Sequence, residues 1–119
     1  MKFIAKILGV ALLAALSFAA PARAQAAHQA VLGWTASTTS GVTYSVFRGT
    51  TAGGESTTAI ITGLSALTYT DTTVAGGTTY YYTVEAVLSG VASVPSNEVS
   101  AVIPATVAPP TALKVVSVQ

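Results

Sequence analysis

The sequence predicts an all-β fold in which two antiparallel sheets pack face to face. Beyond residue 24, apolar and polar residues alternate in short runs rich in β-branched and aromatic residues. Clusters of Gly, Ser, Thr and Pro separate these runs, and no run keeps the spacing of an amphipathic helix. Short strands with frequent turn signals between them are typical of a β-sandwich.

The longest of these runs, residues 78–87, is predicted to be the central strand. It contains three consecutive tyrosines and several β-branched residues, and it holds neither Gly nor Pro. Because side chains alternate along a strand, Tyr80, Tyr82 and Val84 share one face and Tyr81 lies on the other. We expect the first face to lie in the core.

Shorter strands are predicted on both sides of this run. In chain order they are residues 30–34, 42–48, a short edge strand at 57–62, 67–71, and a last strand at 98–103. The residues expected between the sheets are those in phase on each strand. They are Leu32, Trp34, Tyr44, Val46, Tyr69, Tyr80, Tyr82 and Val84.

Residues 1–24 have the three parts of a secretory signal peptide, with a helical apolar centre. Two lysines come first, then an apolar run from residue 7 to residue 20, then Ala22 and Ala24 at the small-residue positions before a cleavage site. A membrane anchor is the alternative, but it needs about 20 apolar residues, which is longer than this run. The sequence therefore predicts export, with a bacterial periplasmic or extracellular location and no membrane attachment after the leader is removed.

Composition excludes several classes of function. The chain has no cysteine, so disulfides and cysteine-ligated metals are excluded. Outside the leader, two basic residues, Arg48 and Lys114, stand against four acidic ones, and the net charge is −2. Nucleic-acid binding needs a basic patch to neutralise phosphates, and this sequence has none, so no nucleic-acid partner is expected.

The sequence predicts no enzyme and no cofactor. Nucleophilic catalysis needs a base beside the nucleophile, and the one histidine, His28, lies near the expected mature N-terminus. Calcium needs several converging oxygens, and no two carboxylates lie close together in the sequence. We therefore expect the acidic residues to have structural roles and the chain to be non-catalytic.

Residues 28–105 resemble a bacterial fibronectin type III domain. The similarity lies in the order and spacing of VLGWTAS (31–37), YSVFRGT (44–50), YTDT (69–72), GTTYYYTV (77–84) and SNEVS (96–100). It implies an immunoglobulin-like sandwich of seven strands over a domain at residues 25–105. It also implies that Trp34 is the core tryptophan and that Tyr80 is the corner tyrosine, whose hydroxyl bonds the backbone of the turn before it.

One feature departs from this family. The family's first strand comes about ten residues before the strand of Trp34, and here the expected mature chain starts too late to contain it. Residues 106–110 form a Pro-rich linker, and residues 111–119 look like that first strand, with Leu113, Val115 and Val118 at its apolar positions. Three alternatives are open: the tail returns to its own domain, pairs with the next molecule, or stays unpaired.

Two hypotheses for function follow. The first is a secreted, non-catalytic module for adhesion or for interaction with a protein or a polysaccharide. Its contact residues would be Phe47 and Tyr81, with cross-strand packing as the alternative, or Val91 and Val94 in the 88–96 loop, with packing under the turn as the alternative. The second is a structural subunit that assembles by strand exchange through its C-terminal tail.

Overall fold

A computed structural model of the chain describes residues 27–119, so the signal peptide predicted at residues 1–24 lies outside the described residues. The predicted all-β architecture of two antiparallel sheets is confirmed. The strands are β1 (Ala30–Gly33), β2 (Thr43–Gly49), β3 (Ile61–Leu64), β4 (Thr68–Asp71), β5 (Thr79–Leu88), β6 (Val91–Ala92) and β7 (Val99–Val102). The described residues contain no helix that is long and apolar enough to cross a membrane.

The strand predicted to be central is β5. In the larger sheet it pairs with β2 along one edge, and β2 in turn pairs with β3. The other edge of β5 is shared, since β7 pairs with its first half and β6 with its last two residues. The smaller sheet consists of β1 and β4 alone.

The core lies between these two sheets. Leu32, Tyr44, Val46, Tyr80 and Tyr82 are buried. Trp34, Tyr69 and Val84 are half-buried and pack against the core cluster. The core cluster also includes further buried apolar residues that complete the layer: Ala30, Val74 and Ile103.

Two predicted elements differ from the structure. The edge strand expected at residues 57–62 lies at Ile61–Leu64, because Val46 pairs with Ile61 and a register shift brings Tyr44 opposite Leu64. The expected loop at 88–96 begins as a hairpin: β5 continues to Leu88, turns at Ser89 and Gly90, and returns as β6. Both turn residues have positive φ, as a two-residue hairpin turn of type I′ requires, and glycine adopts this conformation without strain.

Beyond β7 the described chain forms no strand or helix, and residues 104–119 are exposed. The exposed fractions of Leu113, Val115 and Val118 are 97%, 77% and 84%. In the structure the tail therefore does not return to its own domain, although β1 has β4 as its one partner among the described strands. The domain boundary at residue 105 and the pairing of the tail with another molecule stay predictions.

Candidate functional site

A buried polar network connects the two sheets. Asp71 ends β4 and is fully buried, and both of its carboxylate oxygens accept hydrogen bonds. Oδ2 accepts from Arg48 at 2.7 Å and from the Tyr82 hydroxyl at 2.8 Å. Oδ1 accepts from the backbone N–H of Thr73 at 2.9 Å and from its hydroxyl at 2.6 Å. A buried carboxylate with this many donors is satisfied, so its role is structural.

The pKa values in this network follow from its geometry. Burial alone raises the pKa of Asp71, but the hydrogen bonds from Thr73, Tyr82 and Arg48 outweigh it and the pKa is lowered. Burial and the bond to Asp71 raise the pKa of Tyr82, so its hydroxyl stays protonated and donates. Burial tends to lower the pKa of Arg48, but the hydrogen bond to Asp71 and its charge raise it. The guanidinium also lies 4.9 Å from the centre of the Tyr80 ring.

An apolar surface covers the end of the sandwich at the β5–β6 hairpin. We define the hairpin surface by Leu88, Val91 and Val94, whose exposed fractions are 42%, 71% and 84%. Leu88 and Val91 lie directly opposite each other across the turn. Beside them is a shallow depression of about 350 Å³, which Val42 and the hydroxyl-bearing residues Ser37, Thr39, Ser89 and Ser93 help to line.

The base of the hairpin surface is held by two kinds of contact. The Tyr44 hydroxyl accepts a hydrogen bond from the backbone N–H of Ser37 at 2.8 Å, which fixes the loop between β1 and β2. The Tyr44 ring lies 5.6 Å from the ring of Trp34. The Trp34 indole N–H is enclosed and has no hydrogen-bond partner among the described residues. The aromatic pair therefore supports the hairpin surface by packing, not by a polar bond.

The chain after β6 is bound to β5 by serine side chains. The Ser93 hydroxyl accepts from the N–H of Ala86 at 3.0 Å, and the Ser96 hydroxyl accepts from the N–H of Val84 at 2.9 Å. The N–H groups of the same two serines donate to the carbonyls of Ala86 and Val84. Pro95 has no N–H to continue a regular ladder here. The hydroxyls thus satisfy the edge of β5 where strand pairing is interrupted.

A second depression lies on the outer face of the larger sheet. Phe47 lines it together with Glu55, Glu85 and Thr83, and its volume is about 370 Å³. Phe47 is half-buried and lies opposite Thr83 in the ladder, while Tyr81 lies opposite Gly49. The two rings are diagonal neighbours on one face, and the close aromatic pairs of the described residues are Trp34–Tyr44 and Tyr80–Tyr82 instead.

Two carboxyl groups meet beside this depression. A hydrogen bond between them raises the pKa of Glu55 and lowers that of Glu98, and Glu98 also accepts from the N–H of Gly53 at 2.7 Å. Since each carboxyl group is bonded to the other and Glu98 also binds Gly53, we assign them the role of fastening the loop after β2 to the start of β7. Among the described residues, no three His, Cys, Asp or Glu side chains converge to hold a metal ion.

A groove follows the edge of β1 that no other described strand covers. It lies between β1 on one side and residues 96–99 on the other, and its volume is about 500 Å³. Its apolar and aromatic lining residues are Val31, Leu32, Trp34, Tyr82, Val84 and Val99. The exposed fractions of Val31 and Val99 are 63% and 46%, so the sandwich is open along this side.

The sequence predicts the hydrogen bond of Tyr80 but not the partners of Asp71. The Tyr80 hydroxyl accepts from the backbone N–H of Ala75 at 3.0 Å, in the turn before its strand, as the resemblance implies. The structural role expected for the acidic residues includes Asp71, but the sequence does not predict its pairing with Arg48 and Tyr82. The alternation of residues 67–71 already put Asp71 in phase with Tyr69, which was the available signal for its burial.

In comparisons with known proteins, no protein-family profile and no curated protein matches this chain. Among solved structures, the chain is similar to an Fn3-like protein from Clostridium thermocellum. The two share 39% sequence identity, and their structures superpose with a TM-score of 0.57. The match covers 69% of this chain and 83% of that one.

Proposed function

The chain belongs to the fibronectin type III (Fn3)-like family, and from that premise we propose that it is a non-catalytic interaction module. In this proposal it is secreted and binds a protein or carbohydrate surface at the cell exterior. Function within a fold is decided by its sites, so the proposal must be argued from the surfaces of this chain.

The single observation that carries the proposal is the hairpin surface. Leu88, Val91 and Val94 project apolar side chains into solvent at one end of the molecule, next to a depression with hydroxyl groups around it. Exposed apolar groups that lie together and have a polar rim are typical of sites that contact other proteins. The hairpin is also fixed from below by the type I′ turn, by Ser93 and by the Tyr44–Ser37 bond, so little order has to be gained on binding.

The test compares the chain with a Val91→Ser/Val94→Ser variant. Surface proteins of the producing cell, immobilised as an array, are probed with labelled chain. Val102→Ser is the matched control, because Val102 is also a valine on a strand of the larger sheet and is 75% exposed. We expect array signals that the double variant loses and the control keeps. Equal signals from all three proteins would remove the hairpin surface as the binding site.

A carbohydrate is the second candidate ligand, and the depression at Phe47 favours it. An aromatic ring beside a carboxylate offers a stacking platform for a sugar ring and an acceptor for its hydroxyls, and Phe47 lies here with Glu85. A glycan array probed with the chain and with Phe47→Leu tests this site, since leucine keeps an apolar side chain but removes the ring. We expect glycan signals that Phe47→Leu loses and Val91→Ser/Val94→Ser keeps.

Export is tested separately. If residues 1–24 direct secretion, expression of the full-length chain in a bacterial host yields an exported protein that starts at Gln25, because Ala22 and Ala24 precede that position. Intact-mass measurement of the exported protein gives the cleavage position. A full-length protein that stays with the cells would contradict export and cleavage.

A further inference from the structure

Along one edge, β1 has no partner strand among residues 27–119, so the backbone groups of this free edge are available for pairing. The N–H of Trp34 donates to the carbonyl of Leu67 at 3.0 Å, and the register places these two residues opposite each other just beyond β1 and β4. Hydrogen-bonded pairs alternate along an antiparallel ladder, so the backbone groups of Val31 and Gly33 point away from β4. An edge of this kind is a template for another strand.

The groove beneath this edge suits the side chains of an added strand. Its floor is formed by Tyr82 and Val84 of β5, and its far wall by residues 96–99. A strand beside β1 would direct every second side chain into the groove, in phase with Ala30 and Leu32 of β1, which are buried. Only apolar side chains would complete this layer without leaving unpaired polar groups.

The C-terminal tail of this chain has the required pattern. Leu113 and Val115 are two residues apart, so an extended backbone puts both on one face, and Lys114 on the other. Leu113, Val115, Val116 and Val118 are 77% to 97% exposed in the structure, a concentration of apolar surface that is unusual for a solvated segment. The tail therefore has apolar side chains at alternate positions, as a strand that fills the groove requires.

The tail starts at the wrong end of β1 to fill its own groove. The Thr106 hydroxyl lies 3.0 Å from Nε2 of His28, so the chain leaves the domain beside the first residue of β1. In a parallel return, the residues beside β1 would include Pro109 and Pro110, which have no N–H to donate. An antiparallel return must first pass the whole of β1, about 14 Å long, and then reverse.

The linker is too short and too stiff for that reversal. Residues 107–110, the part of the linker beyond Thr106, span about 12 Å at the rise of ~3.1 Å per residue of a Pro-rich segment. This is less than the length of β1, and Pro109 and Pro110 keep the backbone extended ahead of the tail. A second molecule has no such restriction, because its tail can enter the groove from either end.

We propose that the groove along β1 binds the C-terminal segment, residues 111–118, of a second copy of this chain. The donated strand pairs with the free backbone groups of Val31 and Gly33, and Leu113 and Val115 enter the groove. Each molecule has one groove and one tail, so the contact joins unlike surfaces and extends to further copies unless it closes on itself. This self-association is independent of the hairpin surface.

The first test measures molar mass by light scattering during size exclusion, over a wide range of protein concentration. We expect the full chain to assemble as concentration rises, and Leu113→Ser/Val115→Ser to stay monomeric. Because both changed residues are exposed, this variant keeps the folded domain. A full chain that is monomeric at every concentration would overturn the proposal, and so would a double variant that assembles equally.

The second test blocks the free edge of β1 with a proline, and the residue opposite in the ladder supplies the control. Val31→Pro removes an N–H that points to the free edge, and Thr70→Pro removes one from the residue opposite it, which points to the other edge of the same sheet. We expect Val31→Pro to be monomeric and Thr70→Pro to assemble. Equal assembly by both variants would show that the edge of β1 is not the site.

A mixing experiment identifies the two halves of the contact. The Val31→Pro chain keeps its tail and the Leu113→Ser/Val115→Ser chain keeps its groove, so we expect a one-to-one complex from two monomers. A mixture that stays monomeric contradicts donation between copies. Val91→Ser/Val94→Ser is expected to assemble like the unchanged chain, so a failure of the proposed binding function is distinguishable from a failure of assembly.

Discussion

Replacing Arg48 by Met tests whether the buried network holds the two sheets together. The side chain of Arg48 is 24% exposed and that of Asp71 is 1% exposed, at a distance of 2.7 Å. Methionine keeps the apolar part of the side chain but leaves the carboxylate without a cation in a buried site. The result expected is a large loss of stability with the fold retained.

The magnitude follows from the bonds that are lost. A hydrogen bond between charged partners contributes about 1.5–3 kcal/mol, and a neutral acceptor such as the Thr73 hydroxyl, 2.8 Å from Arg48, contributes about 1 kcal/mol. Removing one partner of a fully buried pair costs about 3–5 kcal/mol. Because Arg48 reaches solvent, and because Thr73 and Tyr82 still donate to Asp71, we expect about 3 kcal/mol for Arg48→Met.

Urea unfolding, followed by the fluorescence of the single tryptophan, Trp34, measures this loss. A change of this size lowers the urea midpoint by about 1–3 M. Asp71→Asn and the double variant complete a mutant cycle, and Arg48→Lys is the control that keeps the charge. We expect the double variant to lose at least ~1 kcal/mol less than the sum of the two single losses. Additive losses, or a loss below ~1 kcal/mol for Arg48→Met, would refute the network as a connection between the sheets.

Three further predictions concern Asp71, Tyr80 and Gly76. The pKa of Asp71 is lowered in the folded state, so its contribution to stability is fully present above its unfolded pKa of about 3.9 and is lost as pH falls through the folded pKa. The unfolding free energy of Asp71→Asn should therefore fall less steeply with decreasing pH than that of the unchanged chain. An equal slope in the two acid titrations would contradict this. Tyr80→Phe removes the acceptor of the Ala75 N–H and should lower the melting temperature by about 4–8 °C, corresponding to ~1 kcal/mol, in calorimetry. Gly76→Ala places a methyl group 2.7 Å from Nε2 of His28, so we expect it to lower the free energy of unfolding by about 1–3 kcal/mol. Gly90→Ala is the control: its methyl group meets no atom within 4 Å, so it should lose stability only through the positive φ of this position.

The strands that pack on one face could be predicted from sequence because their pattern is local. Alternation of period two put Tyr80, Tyr82 and Val84 on the inner face of β5, and the structure places the two tyrosines in the core and Val84 against it. The same local signal failed at β3, where the β-branched run at 57–62 was taken as the strand. Pairing with β2 decides the position there, and register between strands distant in sequence is not encoded in either strand alone.

The candidate surfaces, too, could be predicted from sequence only where the signal is local. Val91 and Val94 were recognised as unusually apolar for a loop, which composition alone reveals. The hairpin that exposes them depends on Ser89 and Gly90 as a two-residue turn. The sequence contains this Ser-Gly pair, but the prediction included it in a longer loop at residues 88–96. The groove along β1 could not be located from sequence, because it is formed by β1 and residues 96–99, which no local pattern brings together.

The serine hydroxyls beside β5 have a consequence for how this domain tolerates change. If the returning chain paired with the central strand β5 in a regular ladder, its length and register would be fixed by that strand. Ser93 and Ser96 instead hold that chain at two points, each through its hydroxyl and its backbone N–H. The exposed turn at Ser89 and Gly90 lies beyond these two points, and we expect this turn to accept insertions of foreign sequence while the sandwich keeps its shape.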